Sequence, residues 1–313
     1  MNRLVYFDNL RSAAVVLTLL AVLLRSFASF YETAAVTAIA VCFFIAAYFG
    51  AELLRTHQVS FFLGQKFNHL VWPFLFLCLL CLEETWGLGL PPVTAWVLPW
   101  LFILFLALAG VKAVKPHWLI HRTAAKPSAV FLLLFVIIQA ALLAICRTLF
   151  APSYTVPFLF AIRPDWLVLA AGAFFLGVHA FRKRWFGRRG FVPPANNLYL
   201  FAVMAGVSAY CLPMQNFLFP IIASILALTA VFGLSAFFTR QLNSQPAWAH
   251  TLHRISYGLF FVGEPIINNG FYFLAPLPSL WLRLLLTAVI TVIYGYLLCR
   301  YALLHITCFK SRG

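Results

Sequence analysis

Acidic side chains are what this sequence has least of. Only seven aspartates and glutamates stand against 22 lysines and arginines over 313 residues, and charged residues of both signs make up 9% of the chain. Soluble domains use roughly a quarter charged residues, so a water-exposed globular surface is excluded. The sequence also has no Gly-rich phosphate loop, no His-Glu-x-x-His helix and no nucleophile elbow, which removes three large classes of enzyme. Seven cysteines, at 42, 78, 81, 146, 211, 299 and 308, lie nearly all in apolar runs. Cys78 and Cys81 share a helical turn, but no nearby Cys or His pair completes a zinc site, so they read as buried small hydrophobes and no metal is expected. His117 and His121, four apart in a basic loop, read as a solvated face. The absence of an internal repeat weighs against an ordinary secondary transporter.

What is present is apolar surface: 64% hydrophobic residues, 34 of them phenylalanine. Each membrane helix needs ~20 apolar residues, and the pattern predicts ten, near 10–29, 34–54, 68–86, 93–111, 128–148, 164–181, 197–212, 217–238, 255–273 and 281–303. The first reads as a retained span and not a secretory signal, because Asp8 sits where a basic leader is required. The expected fold is all-α and polytopic, a single transmembrane domain over residues 1–313 without a soluble domain.

Charge sets the expected topology, since short loops rich in Lys and Arg stay in the cytoplasm. Every second connection is basic: Arg55 and Lys66, then Lys112 to Lys126, then Arg182 to Arg189, then Arg240 and Arg254. Arg3, Arg11, Arg300, Lys310 and Arg312 put both termini on that side, while Glu32, Glu83, Glu84, Arg163 and Asp165 fall on the other. The net charge of +15 is therefore topological, and no nucleic-acid partner is implied. The densest run, Arg182-Lys183-Arg184-Trp185-Phe186-Gly187-Arg188-Arg189, reads first as a contact with anionic lipid and second as a dock for coenzyme A phosphates. The apolar, proline-broken connection near 150–165 could dip back into the membrane.

Two ionisable residues stand out inside predicted spans. Arg25 lies late in the first and Glu264 sits beside Pro265 in the ninth, and an unpaired charge at depth costs ~2.5 kcal/mol or more. Arg11, Val22 and Arg25 share a face of the first helix. An Arg25–Glu264 ion pair is expected, with Arg25 at the interface and Glu264 in water as the alternative.

Several stretches carry a family pattern. Tyr6-Phe7-Asp8-Asn9-Leu10-Arg11 runs straight into an apolar helix; Phe43-Phe44-Ile45-Ala46-Ala47-Tyr48 comes next on the second; Lys66, His69 and Pro73 open the third; Leu176-Gly177-Val178-His179-Ala180-Phe181-Arg182 closes the sixth; Ser256-Tyr257-Gly258 with Pro265 marks the ninth. Together these resemble the type-3 acyltransferases, membrane enzymes that move an acyl group from cytoplasmic acyl-CoA to an envelope saccharide hydroxyl. The resemblance implies ten helices, a bacterial inner-membrane location, acyl-CoA as donor substrate with no bound cofactor, and as partners membrane lipids, an envelope glycan or lipid-linked saccharide, and polysaccharide-assembly proteins. The candidate catalytic residues are Asp8, Arg11 and Tyr257 from the pattern, with Arg25 and Glu264 as the pair that would replace the lost histidine chemistry, and the candidate donor-site residues are Lys66, His69, His179 and Arg182.

The pattern is broken where its chemistry is concentrated. The family's first-helix histidine falls on Val22, its Ser-Gly pair on Ala46-Ala47, its two donor arginines on Lys66 and His69, and its late histidine on Gly263. Acyl transfer needs a base to deprotonate the acceptor hydroxyl. Two readings are therefore open: a catalytically altered relative with a binding, translocation or accessory role, or an active O-acyltransferase whose base is displaced to His69, His179, Glu264 or Asp8. An unrelated channel or transporter is the third, and would require a continuous polar pore.

Overall fold

The computed structural model describes residues 5–75, 96–120, 125–150, 163–186, 191–211, 218–242, 247–301 and 303. Among them there are helices and no strand. In chain order the α-helices are α1 (Val5–Leu23), α2 (Ala28–Thr56), α3 (Val59–Lys66), α4 (Val97–Val114), α5 (Ala129–Leu149), α6 (Pro164–Arg182), α7 (Asn196–Cys211), α8 (Phe219–Gln241), α9 (Ala247–Phe273) and α10 (Leu280–Tyr301). Seven of these, namely α1, α2, α4, α5, α6, α8 and α10, are long and apolar enough to cross a membrane. Cys78, Cys81, Glu83, Glu84, His121, Arg188, Arg189, Lys310, Arg312 and most of the connection near 150–165 lie outside the described residues.

Successive described helices alternate in direction. Phe62 meets Phe105 while Phe67 meets Phe102, so α3 and α4 are antiparallel, and Gly258 against Cys299 with Gly270 against Thr287 sets α9 and α10 the same way. One end of the bundle collects Arg11, Arg55, Lys66, Lys112, Arg182 and Arg254; we call it the basic end. The opposite end collects Arg25, Glu32, Arg147, Arg163 and Asp165.

α2 is the hub, touching α1, α4, α6, α7 and α8. In its apolar window 78% of residues are buried, against 22% for α4 and 28% for α5 and α10, which turn their side chains outward to lipid. Its tightest neighbour is α6. A Cβ on Gly177 would stand 2.3 Å from the Phe44 carbonyl oxygen and 2.8 Å from the Ala47 Cβ, so the small Ala47 and Gly177 together permit the approach.

The helix ends differ from those that hydropathy predicts. α1 begins at Val5 and stops at Leu23, five residues early at one end and six residues, more than a turn and a half, short at the other. The polar lead is helical because Tyr6, Phe7 and Leu10 bury against the core, which makes Asp8 and Arg11 part of the helix. Arg25 lies in the turn just beyond, where its amide donates to Val22 O at 3.2 Å, and its side chain is exposed. It is therefore not a charge inside a span. α9 likewise begins before the predicted span and carries His253 within it. α3 runs on from Lys66 through a π-helical turn over Phe67–Val71, a local widening that is frequent at functional sites.

Candidate functional site

α1 and α9 lie side by side and run parallel. Arg11 meets His253 near one end, Leu19 packs on Gly263 midway, and Arg25 reaches Asn268 at the other. The seam is thus defined by Asp8 and Arg11 against His253, Leu19 against Gly263 and Arg25 against Asn268, with Tyr257 and Glu264 at helical spacing from His253 along α9.

At the basic end the seam is polar. Arg11 Nη2 lies 3.2 Å from both ring nitrogens of His253, and His253 Nε2 lies 3.8 Å from Asp8 Oδ1. A ring nitrogen accepting from Arg11 carries no proton, so the other can direct its N–H at the carboxylate. Asp8 and His253 are 7% and 4% exposed, which makes this an enclosed contact and not a surface one. Asn9 donates to Leu242 O at 2.7 Å and holds the turn of α1 in place against the end of α8.

The third helix closes the same corner. The Tyr257 hydroxyl donates to the carbonyl of His69 in the π-helical turn, joining α9 to α3. Lys66 Nζ lies 4.4 Å from the Phe105 ring centre and 5.6 Å from that of Phe62. Burial, and then the positive charge of Arg11, lowers the Lys66 ammonium from 10.5 to about 8. Asp8, Arg11, Lys66, His69 and Tyr257 are thus brought together, with His253 added. His253 carried no signal of its own in the sequence, yet it stands four residues before Tyr257 and eleven before Glu264, on the same helical face.

His179 and Arg182 go elsewhere. The His179 ring stacks on Phe131 at 4.2 Å, and the Arg182 guanidinium lies 4.2 Å over Trp118, so both serve the contact between α6 and the segment joining α4 to α5.

Beside the middle of the seam, where α1 turns toward α2, α4 and α6 and Phe260 reaches in from α9, lies an apolar cavity. Thr18, Ala21, Val22, Cys42, Phe43, Trp96, Trp166 and Phe260 are among the residues lining this space of about 50 Å³. Val22 therefore faces open space, and the expected position of a first-helix base holds an isopropyl group. Gly263 cannot be enlarged freely, since a Cβ there would stand 2.3 Å from Leu19 Cδ2.

At the opposite end Arg25 donates to Asn268 Oδ1 at 2.8 Å and lies 5.8 Å from the Phe271 ring. This replaces the expected direct pair with Glu264, which sits one turn deeper at 1% exposure. Glu264 and Arg25 nevertheless share a corner, because both lie within Coulombic range of the Tyr31 hydroxyl, together with Glu32 and Arg163. Beside it runs a second network that the sequence did not announce. Asp165 receives Arg147 at 3.0 Å and Arg163 at 2.8 Å, its backbone neighbour Trp166 N donates to Oδ1 at 3.0 Å, and Arg163 also pairs with Glu32.

No protein family, curated relative or solved structure matches this chain. Its function must therefore be read from its own residues and their geometry. Among the described residues, no group of three or more His, Cys, Asp and Glu is placed to hold a metal ion.

Proposed function

We propose that this chain is a ten-span membrane protein of type-3 acyltransferase architecture, seated in a bacterial inner membrane with both ends cytoplasmic. It holds an envelope glycan or lipid-linked saccharide, or a protein that assembles one, without transferring an acyl group. The observation that carries this reading is Val22 lining the apolar cavity, with Gly263 packed on Leu19 across the seam. A general base must come within ~2.6–3.2 Å of the hydroxyl that it deprotonates. His253, the imidazole of the seam, stands ten residues before Gly263, roughly 15 Å along the helix. Leu19 packed on Gly263, between the two polar ends, also argues against a conducting track along this seam.

A specific observation favours a second reading. The Asp8–His253 contact beside Arg11 and Lys66 supplies an oriented imidazole next to two cations, which suits an active O-acyltransferase with its base displaced to the basic end and acyl-CoA as donor. Labelled acetyl-CoA offered to the purified protein with envelope glycan separates the two. The first reading expects no label on the glycan. Transfer that disappears in His253→Gln would replace it with the second.

A further inference from the structure

We infer that the turn after α6 and its surroundings form a docking site for the headgroup of an anionic phospholipid. Past Arg182 the chain reverses over Lys183–Phe186 and drives the Trp185 and Phe186 rings back into the bundle, where both are buried. Their carbonyls are held by hydroxyls from two other helices, Trp185 O by Tyr48 at 3.0 Å and Phe186 O by Tyr6 at 2.9 Å. Arg184 and Phe186 adopt φ of 53° and 64°, a left-handed backbone that side chains disfavour, and they do so without a glycine. The consequence of this construction is that Arg182, Lys183 and Arg184 are held at the rim while the rings beside them are anchored inward.

Two other segments bring cations to the same place. Ala125 N donates to Lys183 O at 3.4 Å, which sets the stretch bearing Lys126 alongside, and Arg55 at the end of α2 lies 5.8 Å over the Phe181 ring. Among the described residues, acidic side chains at this end are few. Of the seven in the chain, those described at this end are Asp8, in contact with His253, and Glu52, near Arg55. Cations crowded in this way repel unless an anion lies among them.

The anion is a lipid because of what flanks the patch. α4 ends and α5 begins here, and both turn apolar side chains outward, with Val114 at 80%, Val130 at 65% and Leu133 at 61% exposure. A phosphodiester among the guanidinium groups would lie at headgroup level, with its acyl chains along those helices. A soluble acidic peptide would leave that apolar flank uncovered. This site is separate from the α1–α9 seam and does not depend on any acyl-transfer reading.

The test uses the full chain in detergent, titrated with phosphatidylglycerol and with phosphatidylcholine, bound lipid being counted by native mass spectrometry. Phosphatidylglycerol should bind on the order of tenfold more tightly, and the triple variant Arg182→Gln, Lys183→Gln, Arg184→Gln should lose most of that preference. Arg300→Gln, a cation on α10, should keep it. Equal binding of the two lipids, or an unchanged preference in the triple variant, overturns the proposal. So does displacement of phosphatidylglycerol by inorganic phosphate at equal concentration, which would mark a site for soluble anions. If the triple variant does not fold, the preference of the unaltered protein must shrink as salt is raised, and a salt-insensitive preference overturns the proposal equally.

Discussion

At the end of the bundle opposite the basic one, Asp165 takes bonds from Arg147 and Arg163 and from the Trp166 amide, Arg163 continues to Glu32, and the Arg147 guanidinium lies 3.3 Å over the Phe219 ring. At the basic end, Arg11 turns to an imidazole, Asp8 keeps 3.8 Å from that imidazole, and the Lys66 ammonium rests against phenylalanine rings. The first network matches two carboxylates with two guanidiniums in direct contact, and it ties α2, α5 and α6 together. The second carries excess positive charge, contains groups that can exchange protons near neutrality, and lies where three helices named by one sequence pattern meet. The contrast teaches that direct carboxylate–guanidinium pairs make a buried charge cluster a staple, whereas an imidazole and an ammonium half-deprotonated at about pH 8 among cations make one a candidate binding or chemical site.

The largest effect should come from breaking the complete network. Asp165→Ala leaves Arg147 and Arg163 facing each other and should cost about 3–5 kcal/mol, read as a fall in melting temperature in detergent. A loss no greater than that of His253→Phe would erase the contrast between the ends. Next is Gly177→Ala, which forces a methyl group against the Phe44 carbonyl and should cost about 1–3 kcal/mol on the same assay. A neutral result would show that α2 and α6 can part without penalty.

The basic end should respond to pH. The unfolded chain keeps the Lys66 proton up to about 10.5 and the folded chain only to about 8, so folding sheds it between those values and stability should rise with pH across that window. Lys66→Met should flatten the rise, and an undiminished slope would assign it to another group. Any phosphate-bearing ligand held through Lys66 should bind more weakly as pH climbs through about 8, for the same reason. Smaller still, Tyr257→Phe removes one hydrogen bond to the His69 carbonyl and should cost about 1 kcal/mol, with His253 left in place. The smallest change is expected from Arg25→Gln, within about 0.5 kcal/mol, because that side chain is exposed and outside the helix. A loss as large as that of Glu264→Gln would restore the idea of an ion pair between them.

Particular residues show how much could be read before folding. The small pair Ala46-Ala47 is legible as a helix crossing, and Ala47 does meet a neighbouring helix at Gly177, whose part in the contact only the structure gives. Arg25 could not be placed, because hydropathy tracks apolar content and α1 ends by a backbone turn that breaks no apolar run. Hydropathy does not single out His253, because it precedes the apolar stretch of α9, and only the longer helix carries it to Arg11 and Asp8. The Arg147–Asp165 pair joins two adjacent helices, and nothing in the local sequence of either relates the two side chains.

By itself the sequence determined that this is a helical membrane protein, since 64% hydrophobic residues and seven carboxylates leave water no surface to solvate. It also determined the apolar stretches that become the seven helices long enough to cross a membrane, and which end of the bundle is basic, because both depend on local composition. Tertiary structure alone decided that Asp8 belongs with His253, that Arg25 belongs with Asn268, and that Val22 faces a cavity. Those partners lie more than two hundred residues apart in the chain for each α1–α9 contact, and no local rule relates them. The direction and register in which α1 packs along α9 fix them all at once.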